Sequence, residues 1–453
     1  MRPPRPFPTL LAAALALALA APAIASEGVL GDDPYPSTYQ RIASPDTLIR
    51  NATLLIGDGT RLDGADVLLR DGEIARVGRG LDAPRGATVV DAAGKWVTPG
   101  LIDVHSHLGV YPSPGLEAHQ DGNEMTSPVT SQVWAEHGVW PQDPGFGTAL
   151  AGGVTSMLIL PGSANLIGGR GVVLKNVPGE TYQQMKFPGA PWSLKMACGE
   201  NPKRVYGGRG SAPMTRMGNV AGYRNAFIEA RAYAEGLEGE EPPTQDLRLE
   251  TLAAAMSGEI KVQIHCYRAD EMAIMLDLAQ EFDFDVAAFH HGTEAYKIAD
   301  RLAEAGTCGA LWADWWGFKA EAYDAVQENI LIVDRAGGGK GCAVVHSDSA
   351  EGIQRLNQEA GKVIGSGRRV GIDIAPEQAV RWITSNAART LGIEDQVGTL
   401  ERGKMGDVVL WNQNPFSVYA KAEKVWIDGA LMFDRNDPAL QPVSDFTLGQ
   451  EPL

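Results

Sequence analysis

The sequence has no block of basic residues, and acidic residues outnumber basic ones. Its 453 residues include 56 Asp and Glu against 39 Lys and Arg, which gives a formal net charge of -17 at pH 7. A field of that sign repels the phosphate backbone of DNA and RNA. We therefore expect no nucleic-acid partner, whereas a small-molecule partner is compatible with this charge.

Long apolar runs are also absent after the N-terminus. The one at the N-terminus covers residues 10–21, follows Arg2 and Arg5, and is succeeded by a small-x-small motif ending at Ala25. This order is typical of a secretory signal peptide, and the run is too short to span a bilayer comfortably. We expect a signal peptide over residues 1–25, no membrane span after its cleavage, and a periplasmic or secreted protein. An uncleaved signal anchor is the alternative.

Cysteine is scarce, and no two cysteines form a Cys-x-x-Cys pair. Each lies in or beside an apolar strand-like run, at Cys198, Cys266, Cys308 and Cys342. Export permits disulfides, but isolated cysteines in strands are more often small buried apolar residues. Because a sequence does not give the distance between two cysteines, we favour free thiols here.

Both ends of the mature chain are rich in short β-type runs separated by glycine turns. Asp71-Gly72 near one end and Asp428-Gly429 near the other lie between apolar runs, a pattern that predicts tight turns between strands. We expect residues 26–97 to form an N-terminal arm and the first part of a β-sandwich. Residues 396–453 are expected to form its second part and a C-terminal tail.

The middle of the chain, residues 98–395, alternates strand-like and helix-like runs, which is the pattern of a parallel α/β fold. The strand-like runs cover residues 101–107, 154–160, 172–175, 193–197, 261–266, 286–291, 307–313 and 343–348. Eight is the number of strands that a (β/α)8 barrel requires. We predict an α/β fold, namely a TIM-type (β/α)8 barrel with a small β-sandwich domain formed by both termini.

The clearest chemical motif covers residues 97–107 and reads Val-Thr-Pro-Gly-Leu-Ile-Asp-Val-His-Ser-His. An apolar run after a Pro-Gly turn is typical of a buried strand. Because side chains alternate along a strand, Asp103, His105 and His107 project to one side. Two imidazoles on one face can bind one divalent metal ion, although two packed core histidines fit this pattern equally well.

Later strand-like runs end in further residues of the types that bind metals. These residues are Lys195, His265, His290, His291 and Asp348. In a barrel the carboxyl ends of the strands meet at one mouth, where active sites are built. Imidazoles with one carboxylate suit zinc and leave a coordination position open for water. Taken alone, Asp348 could instead cap the next helix, and Lys195 could be an ordinary ion-paired lysine.

The 97–107 motif resembles the first-strand signature of the amidohydrolase superfamily of metal-dependent hydrolases. The run Thr-Ser-Asn-Ala-Ala-Arg-Thr-Leu-Gly at 384–392 extends the resemblance, which covers nearly the whole mature chain. It is closest to the branch with imidazolonepropionase-like and secreted prolidase-like enzymes. The strand-one motif is specific for the superfamily and says almost nothing about the substrate.

The resemblance implies two sets of metal ligands. His105 and His107 would bind the more buried ion with Asp348, and His265 would bind a second ion with a histidine of the sixth strand. His290 and His291 point to opposite faces, so only one can reach the ions. We choose His291, because His-Gly-Thr-Glu-Ala-Tyr-Lys from residue 291 fits the family pattern.

The resemblance also implies a role for a lysine at the end of the fourth strand. Lys195 matches the position that carries N6-carboxylysine in members with two metal ions, and Lys175 is the alternative if the strands are miscounted. A cationic amine cannot bind metal, whereas its carbamate is an anionic ligand. The run after this strand departs from the commoner family forms, and an unmodified Lys195 would imply a single ion.

The implied chemistry is hydrolysis at an amide carbon. The metal lowers the pKa of a water molecule and polarises the carbonyl, while Asp348 accepts the proton and passes it to the leaving nitrogen. Further side chains near the strand ends are candidates for contacts with the substrate. They are Asn165, Arg204, Tyr206 and His346.

We expect an exported zinc amidohydrolase, with one or two divalent ions, acting on a dipeptide or an N-acyl amino acid. The second hypothesis is a cyclic amidase or deaminase that acts on a ring C–N bond. The third is a catalytically silent binding protein on the same fold, which the filled ligand positions disfavour. A homo-oligomer is compatible with the sequence.

Overall fold

The computed structural model describes residues 28–442, so the predicted signal peptide at 1–25 lies outside the described residues. The strands are β1 (Thr47–Leu55), β2 (Arg61–Arg70), β3 (Glu73–Gly78), β4 (Thr88–Asp91), β5 (Trp96–Pro99), β6 (Leu101–Ser106), β7 (Val154–Ile159), β8 (Ile167–Lys175), β9 (Ser193–Ala197), β10 (Lys261–His265), β11 (Val286–His290), β12 (Cys308–Leu311), β13 (Ala343–Val345), β14 (Val408–Trp411), β15 (Ala422–Ile427) and β16 (Ala430–Asp434).

The α-helices lie mainly between the strands of the central region. They are α1 (Pro144–Ala151), α2 (Tyr182–Met185), α3 (Glu200–Gly207), α4 (Arg216–Leu237), α5 (Leu247–Met256), α6 (Ala269–Phe282), α7 (Ala299–Glu304), α8 (Asn329–Gly339), α9 (Leu356–Arg369), α10 (Pro376–Ala379) and α11 (Ser385–Leu391). Short 3-10 helices occur at Glu117–His119, Ala135–Gly138, Ala295–Ile298, Ala320–Ala322, Ile353–Arg355, Val380–Ile383 and Pro438–Leu440. Within residues 28–442, no helix is both long enough and apolar enough to cross a membrane.

The central region forms one eight-stranded sheet in the order β13-β12-β11-β10-β9-β8-β7-β6. The two end strands of this order approach each other, because the Asp348 amide donates to the His105 carbonyl at 3.0 Å and the Ser347 amide donates to Asp103 Oδ1 at 3.2 Å. The sheet therefore nearly closes on itself. The predicted TIM-type barrel is confirmed, and its first and last strands meet at the histidine motif.

One strand of the barrel runs in the opposite direction from the others. Strand β8 is antiparallel to both β7 and β9, and it follows β7 without an intervening helix. The strand pattern therefore departs from eight parallel strands. The reversal also separates the two lysines considered above, because Lys175 pairs with Ser156 low on β7, whereas Lys195 pairs with Gly169 near the start of β8.

Lys175 consequently lies at the end of the barrel away from the histidines. Its ammonium is fully buried and contacts Asp428 Oδ2 at 3.0 Å and Asp407 Oδ1 at 3.4 Å. The alternative in which Lys175 is the metal-bridging lysine is therefore wrong. Lys175 instead joins the barrel to the strands contributed by the C-terminal part of the chain.

The second sheet combines strands from both ends of the chain. Its order is β16-β15-β14-β5-β1-β2-β3, with β4 beside β1, so that β14 from the C-terminal part pairs with β5 from the N-terminal part. Both predicted tight turns are present. Asp71 and Gly72 have φ values of 53° and 81°, and Asp428 and Gly429 have 45° and 74°. Two consecutive positive φ values suit the right-handed twist of paired strands.

The four cysteines form two disulfides, Cys198–Cys266 and Cys308–Cys342, with Cα–Cα distances of 5.2 and 4.6 Å. The expectation of free thiols was wrong, and the register of the strands explains why. Ala197 pairs with His265, so Cys198 and Cys266, which directly follow β9 and β10, face each other. Cys308 and Cys342 precede Gly309 and Ala343, which pair with each other. A sequence does not give that register.

We expect replacement of Cys198 and Cys266 by Ala to lower the free energy of unfolding by about 2–4 kcal/mol, because the bond restricts the unfolded chain. Chemical unfolding, followed by circular dichroism with and without a reductant, measures the loss. The Cys308–Cys342 bond closes a shorter loop, of 34 rather than 68 residues, so the Cys308→Ala/Cys342→Ala variant should lose slightly less. Equal stability of the wild type in the presence and absence of reductant contradicts the prediction.

Candidate metal centre

Imidazoles, one lysine and one carboxylate converge at the carboxyl end of the barrel. The side chains come from β6, β9, β10, β11 and the segment after β13, because each of these parallel strands ends at the same mouth. The residues brought together are His105, His107, Lys195, His265, His290, His291, His346 and Asp348. Every ligand predicted from the sequence lies in or beside this cluster.

Three donor atoms at the mouth have the spacing of ligands around one ion. His105 Nε2 lies 3.3 Å from His107 Nε2 and 3.5 Å from Asp348 Oδ1, and the latter two atoms are 3.2 Å apart. Ligand atoms about 2.0–2.1 Å from a tetrahedral zinc ion are roughly 3.3 Å from one another. The spacing of these three donor atoms therefore fits a divalent metal ion.

The orientation of His107 also suits a ligand. Its Nδ1 lies 2.8 Å from the Leu160 carbonyl, to which it donates its proton. This hydrogen bond leaves Nε2 unprotonated and directed at Asp348, which is the form of imidazole that binds metals.

A relay of hydrogen bonds sets the protonation of His105. Gln263 Nε2 donates to the Thr390 carbonyl at 3.2 Å, which places Gln263 Oε1 as the acceptor for His290 Nε2 at 2.8 Å. The other His290 nitrogen then accepts from His105 Nδ1, also at 2.8 Å. His105 Nε2 is thereby left without a proton, ready to bind a metal ion. Sequence reasoning missed Gln263, although it lies two residues before His265.

We expect Gln263→Leu to weaken metal binding by about 10- to 100-fold, because His290 loses the acceptor that fixes its tautomer. Competition with a chelator of known affinity measures the change. Gln280→Leu, at an exposed position on α6, is the matched control and should bind metal like the wild type. Unchanged affinity in Gln263→Leu contradicts the relay.

The two adjacent histidines of the sixth barrel strand have different surroundings. Both nitrogens of His290 are engaged, as described above, whereas His291 has Nε2 3.6 Å from Asp348 Oδ2 and Nδ1 2.8 Å from His346 Nε2. A φ of 63° at His291 turns its backbone at the strand end. The geometry therefore favours His291 as the ligand.

A second set of donor atoms lies beside the first. Atoms of His105, His291 and His346 all lie within 4.8 Å of one another. The ring of His265 is 4.9 Å from that of His291, and His265 Nδ1 is buried without a hydrogen-bond partner among the described residues. The sequence suggested His346 as a substrate contact, whereas the structure places its ring nitrogen among the atoms that could bind a metal ion.

Burial keeps these imidazoles neutral. It lowers the pKa of His105, His265, His290 and His291 well below the usual value, and the neighbouring Lys195 and histidines add to the effect. The pKa of His346 falls to about 4 for the same first reason. Neutral imidazoles are the form that metals require.

Lys195 Nζ lies 3.2 Å from His105 Nε2, inside the cluster. The side chain is fully buried, and this burial lowers the pKa of the amine from 10.5 to about 7. A substantial fraction of the amine is therefore neutral near pH 7. Only the neutral amine has the lone pair that attacks CO2 to form a carbamate.

The two aspartates of the site differ in their ionisation. Burial raises the pKa of Asp103 to about 7, although it accepts hydrogen bonds from Ser347 and from the His105 amide. For Asp348, burial acts in the same direction, but the neighbouring His107, Lys195 and His346 together bring the pKa below the usual value. Through its hydrogen bonds, Asp103 connects β6 to the segment after β13. Asp348, whose pKa is lowered, is a carboxylate able to accept a proton.

Two predicted substrate contacts serve the structure instead. Asn165 Nδ2 donates to the carbonyls of Glu124 and Ser127 and to Thr130 Oγ1, at 2.7 to 2.9 Å, and the Tyr206 hydroxyl also donates to the Ser127 carbonyl, at 2.7 Å. Both side chains are buried and hold the loop before β7, so their donor groups are not free for a substrate.

Arg204 is exposed on α3, near further polar residues that sequence reasoning missed. Asn201 Nδ2 lies 3.4 Å from His265 Nε2, and Lys319 Nζ donates to Asn201 Oδ1 at 3.0 Å. Trp312 stacks on His291 with ring centroids 4.3 Å apart. These residues follow strand ends, but nothing in their local sequence distinguishes them from other loop residues.

Comparisons with known proteins agree with this architecture. The sequence pattern of the Amidohydrolase family matches residues 343–433. The crystal structure of an amidohydrolase from Thermotoga maritima MSB8 is 35% identical, covers 86% of this chain and all of its own, and superposes with a TM-score of 0.79.

In the curated relatives, the region similar to this chain covers less than half of the relative's own length. Amidohydrolase tasK of Hapsidospora irregularis is 34% identical over 440 residues, which are 87% of this chain and 44% of that protein. A dihydroorotase of Geobacter sulfurreducens is 57% identical over 56 residues, 12% of each chain. The chain therefore spans less than half the length of these relatives. Because the match to the Thermotoga structure is 35% identical and extends over that whole chain, this protein belongs to the amidohydrolase superfamily.

Proposed function

We propose that the protein is an exported zinc-dependent amidohydrolase that cleaves the amide C–N bond of a dipeptide or an N-acyl amino acid. The observation that carries the proposal is the triangle of His105, His107 and Asp348 donor atoms, with sides of 3.2 to 3.5 Å. Export rests on the signal-like pattern of residues 1–25.

The donor set divides between two ion positions. His105, His107 and Asp348 would hold one ion, and His265 and His291 would hold a second, with Lys195 as N6-carboxylysine between them. The short distance from Lys195 Nζ to His105 Nε2 and the lowered pKa of the amine support this arrangement. A divalent ion bound here would acidify a water molecule and polarise the amide carbonyl.

The side chains of the protein supply the proton transfers. Asp348 is ionised and within 3.2 Å of His107 Nε2, so its carboxylate lies where it can accept a proton from the attacking water. The same carboxyl group then returns the proton to the leaving nitrogen. Asp103 contributes by holding the backbone on both sides of the cluster, through the Ser347 and His105 amides.

A cyclic substrate is the second candidate, and the dihydroorotase matches favour it. Besides the Geobacter sulfurreducens protein, a dihydroorotase of Pelobacter propionicus is 35% identical over 121 residues, 25% of this chain. These matches are local, covering 12% and 25% of this chain, so we rank the cyclic substrate second.

Hydrolysis of matched linear and cyclic amides, before and after removal of metal, tests the proposal. We expect release of amine from N-acyl amino acids or dipeptides, loss of at least about 100-fold in kcat/KM after chelation, and recovery with Zn2+. Faster opening of dihydroorotate than of any linear amide would favour the second candidate. Full activity after chelation, or no cleavage of either class by the zinc-loaded protein, overturns the proposal.

A further inference from the structure

An aromatic surface leads from the candidate metal centre to solvent. It consists of Tyr267, Trp312, Trp315 and Phe318, which we call the aromatic wall. The ring centroid of Trp312 lies 6.0 Å from that of Trp315, 5.9 Å from that of Phe318 and 6.3 Å from that of Tyr267. The four rings therefore form one continuous cluster after strands β10 and β12, in which Tyr267 is buried and Trp315 and Phe318 are exposed.

The inner end of the wall contacts the histidines of the site. The ring of Tyr267 meets His265 edge-on at 4.7 Å, and Trp312 stacks on His291 at 4.3 Å. The outer end is open, since Trp315 is 43% exposed and Phe318 is 60% exposed. The aromatic wall therefore extends from exposed rings to the histidines of the site.

The wall is held in place by polar contacts behind its rings. Trp312 Nε1 donates to the Ser347 carbonyl at 3.2 Å, and Lys319 Nζ lies 4.3 Å from the centroid of the Tyr267 ring. Lys319 is in turn bonded to Asn201. Because these contacts fix the inner rings, Trp312 can bind a ligand without first losing much conformational entropy, while the buried Tyr267 supports it.

The two outer rings, of Trp315 and Phe318, contribute little to the hydrophobic core because they are exposed. Burial of large aromatic side chains stabilises a folded protein, yet Trp315 and Phe318 leave much of their apolar surface in contact with water. An exposed aromatic surface that adjoins a site marks a place where an apolar group binds. Continuity with the metal centre identifies this group as part of the substrate.

We infer that the aromatic wall binds an aromatic or bulky apolar side group of the substrate, next to the amide bond that is cleaved. The inference rests on the proposed function for the identity of that bond. It narrows the substrate class to dipeptides or N-acyl amino acids with a large apolar group, and it disfavours those built on glycine or alanine.

Binding of 3-phenylpropanoate and propanoate to the zinc-loaded protein, measured by calorimetry, tests the wall separately from catalysis. The two probes share a carboxylate, so any binding of that group to metal cancels in the ratio of their Kd values. We expect the phenyl compound to bind at least about tenfold more tightly, as burial of a ring against other rings provides. In Trp315→Ala/Phe318→Ala the ratio should fall below about threefold.

Tyr323→Ala is the matched control. Tyr323 is 73% exposed in the same segment, and its replacement should leave the ratio at its wild-type value. Equal Kd values for the two probes in the wild type, or an undiminished ratio in Trp315→Ala/Phe318→Ala, overturns the inference. Failure to hydrolyse any amide overturns the proposed function, while the ratio of Kd values still decides the role of the wall.

Discussion

Replacement of Asp348 by Asn is expected to lower kcat by about 10^2- to 10^4-fold, the usual contribution of a positioned acid–base group. Asn retains an oxygen that can face the metal but has no carboxylate to accept a proton. It also tolerates the backbone of this position, where φ is 50°, because Asn adopts positive φ more readily than most residues. The loss therefore reports the chemistry rather than the fold.

The measurement is steady-state hydrolysis of the best amide substrate, with metal content determined on the same sample. Asp314→Asn is the control, since Asp314 is an exposed carboxylate paired with Lys362 and should leave kcat unchanged. A kcat within tenfold of the wild type, in an Asp348→Asn sample that retains its metal, contradicts the assignment of the base.

Replacement of Lys195 by Met is expected to reduce the bound zinc from two ions per chain to one, and to lower kcat/KM by at least about 100-fold. Methionine fills a similar volume, so the buried site should remain packed. The variant lacks the amine, whose pKa is lowered to about 7, and with it the proposed carbamate that this amine would form with CO2. Elemental analysis gives the ion ratio, and intact mass at near-neutral pH tests for the added CO2.

Lys175 offers an internal comparison, because it is equally buried at the other end of the barrel. Lys175→Met should destabilise the protein by about 3–5 kcal/mol, since Asp407 and Asp428 lose their partner. Its folded fraction should nevertheless bind the same number of ions as the wild type. Two ions per chain in Lys195→Met contradict the bridging role.

Much of the fold and of the site followed from periodicity and from strand ends. Alternation along residues 101–107 placed His105 and His107 on one face, and the rule that parallel strands end at one mouth brought His265, His291 and Asp348 to the same place. The turns at Asp71-Gly72 and Asp428-Gly429 followed from local backbone preferences. These signals depend on near neighbours in the chain, which a sequence displays directly.

The errors concern relations between distant segments. The disulfides depend on the register of β9 against β10 and of β12 against β13, and the reversal of β8 depends on a short connection that replaces a helix. Asn165 and Tyr206 looked like substrate contacts because they follow strands. Only the folded chain shows that their polar groups are used by the loop around Ser127.

The pairing of β5 with β14 has a consequence for how the chain is made. About three hundred residues separate β5 from its partner β14 along the chain, so one edge of β5 is unpaired until the C-terminal part has folded onto it. Open strand edges invite aggregation. Strands β14 to β16 therefore shield this edge, and loss of a stretch that includes β14 would leave the barrel attached to a sheet with an exposed, aggregation-prone edge.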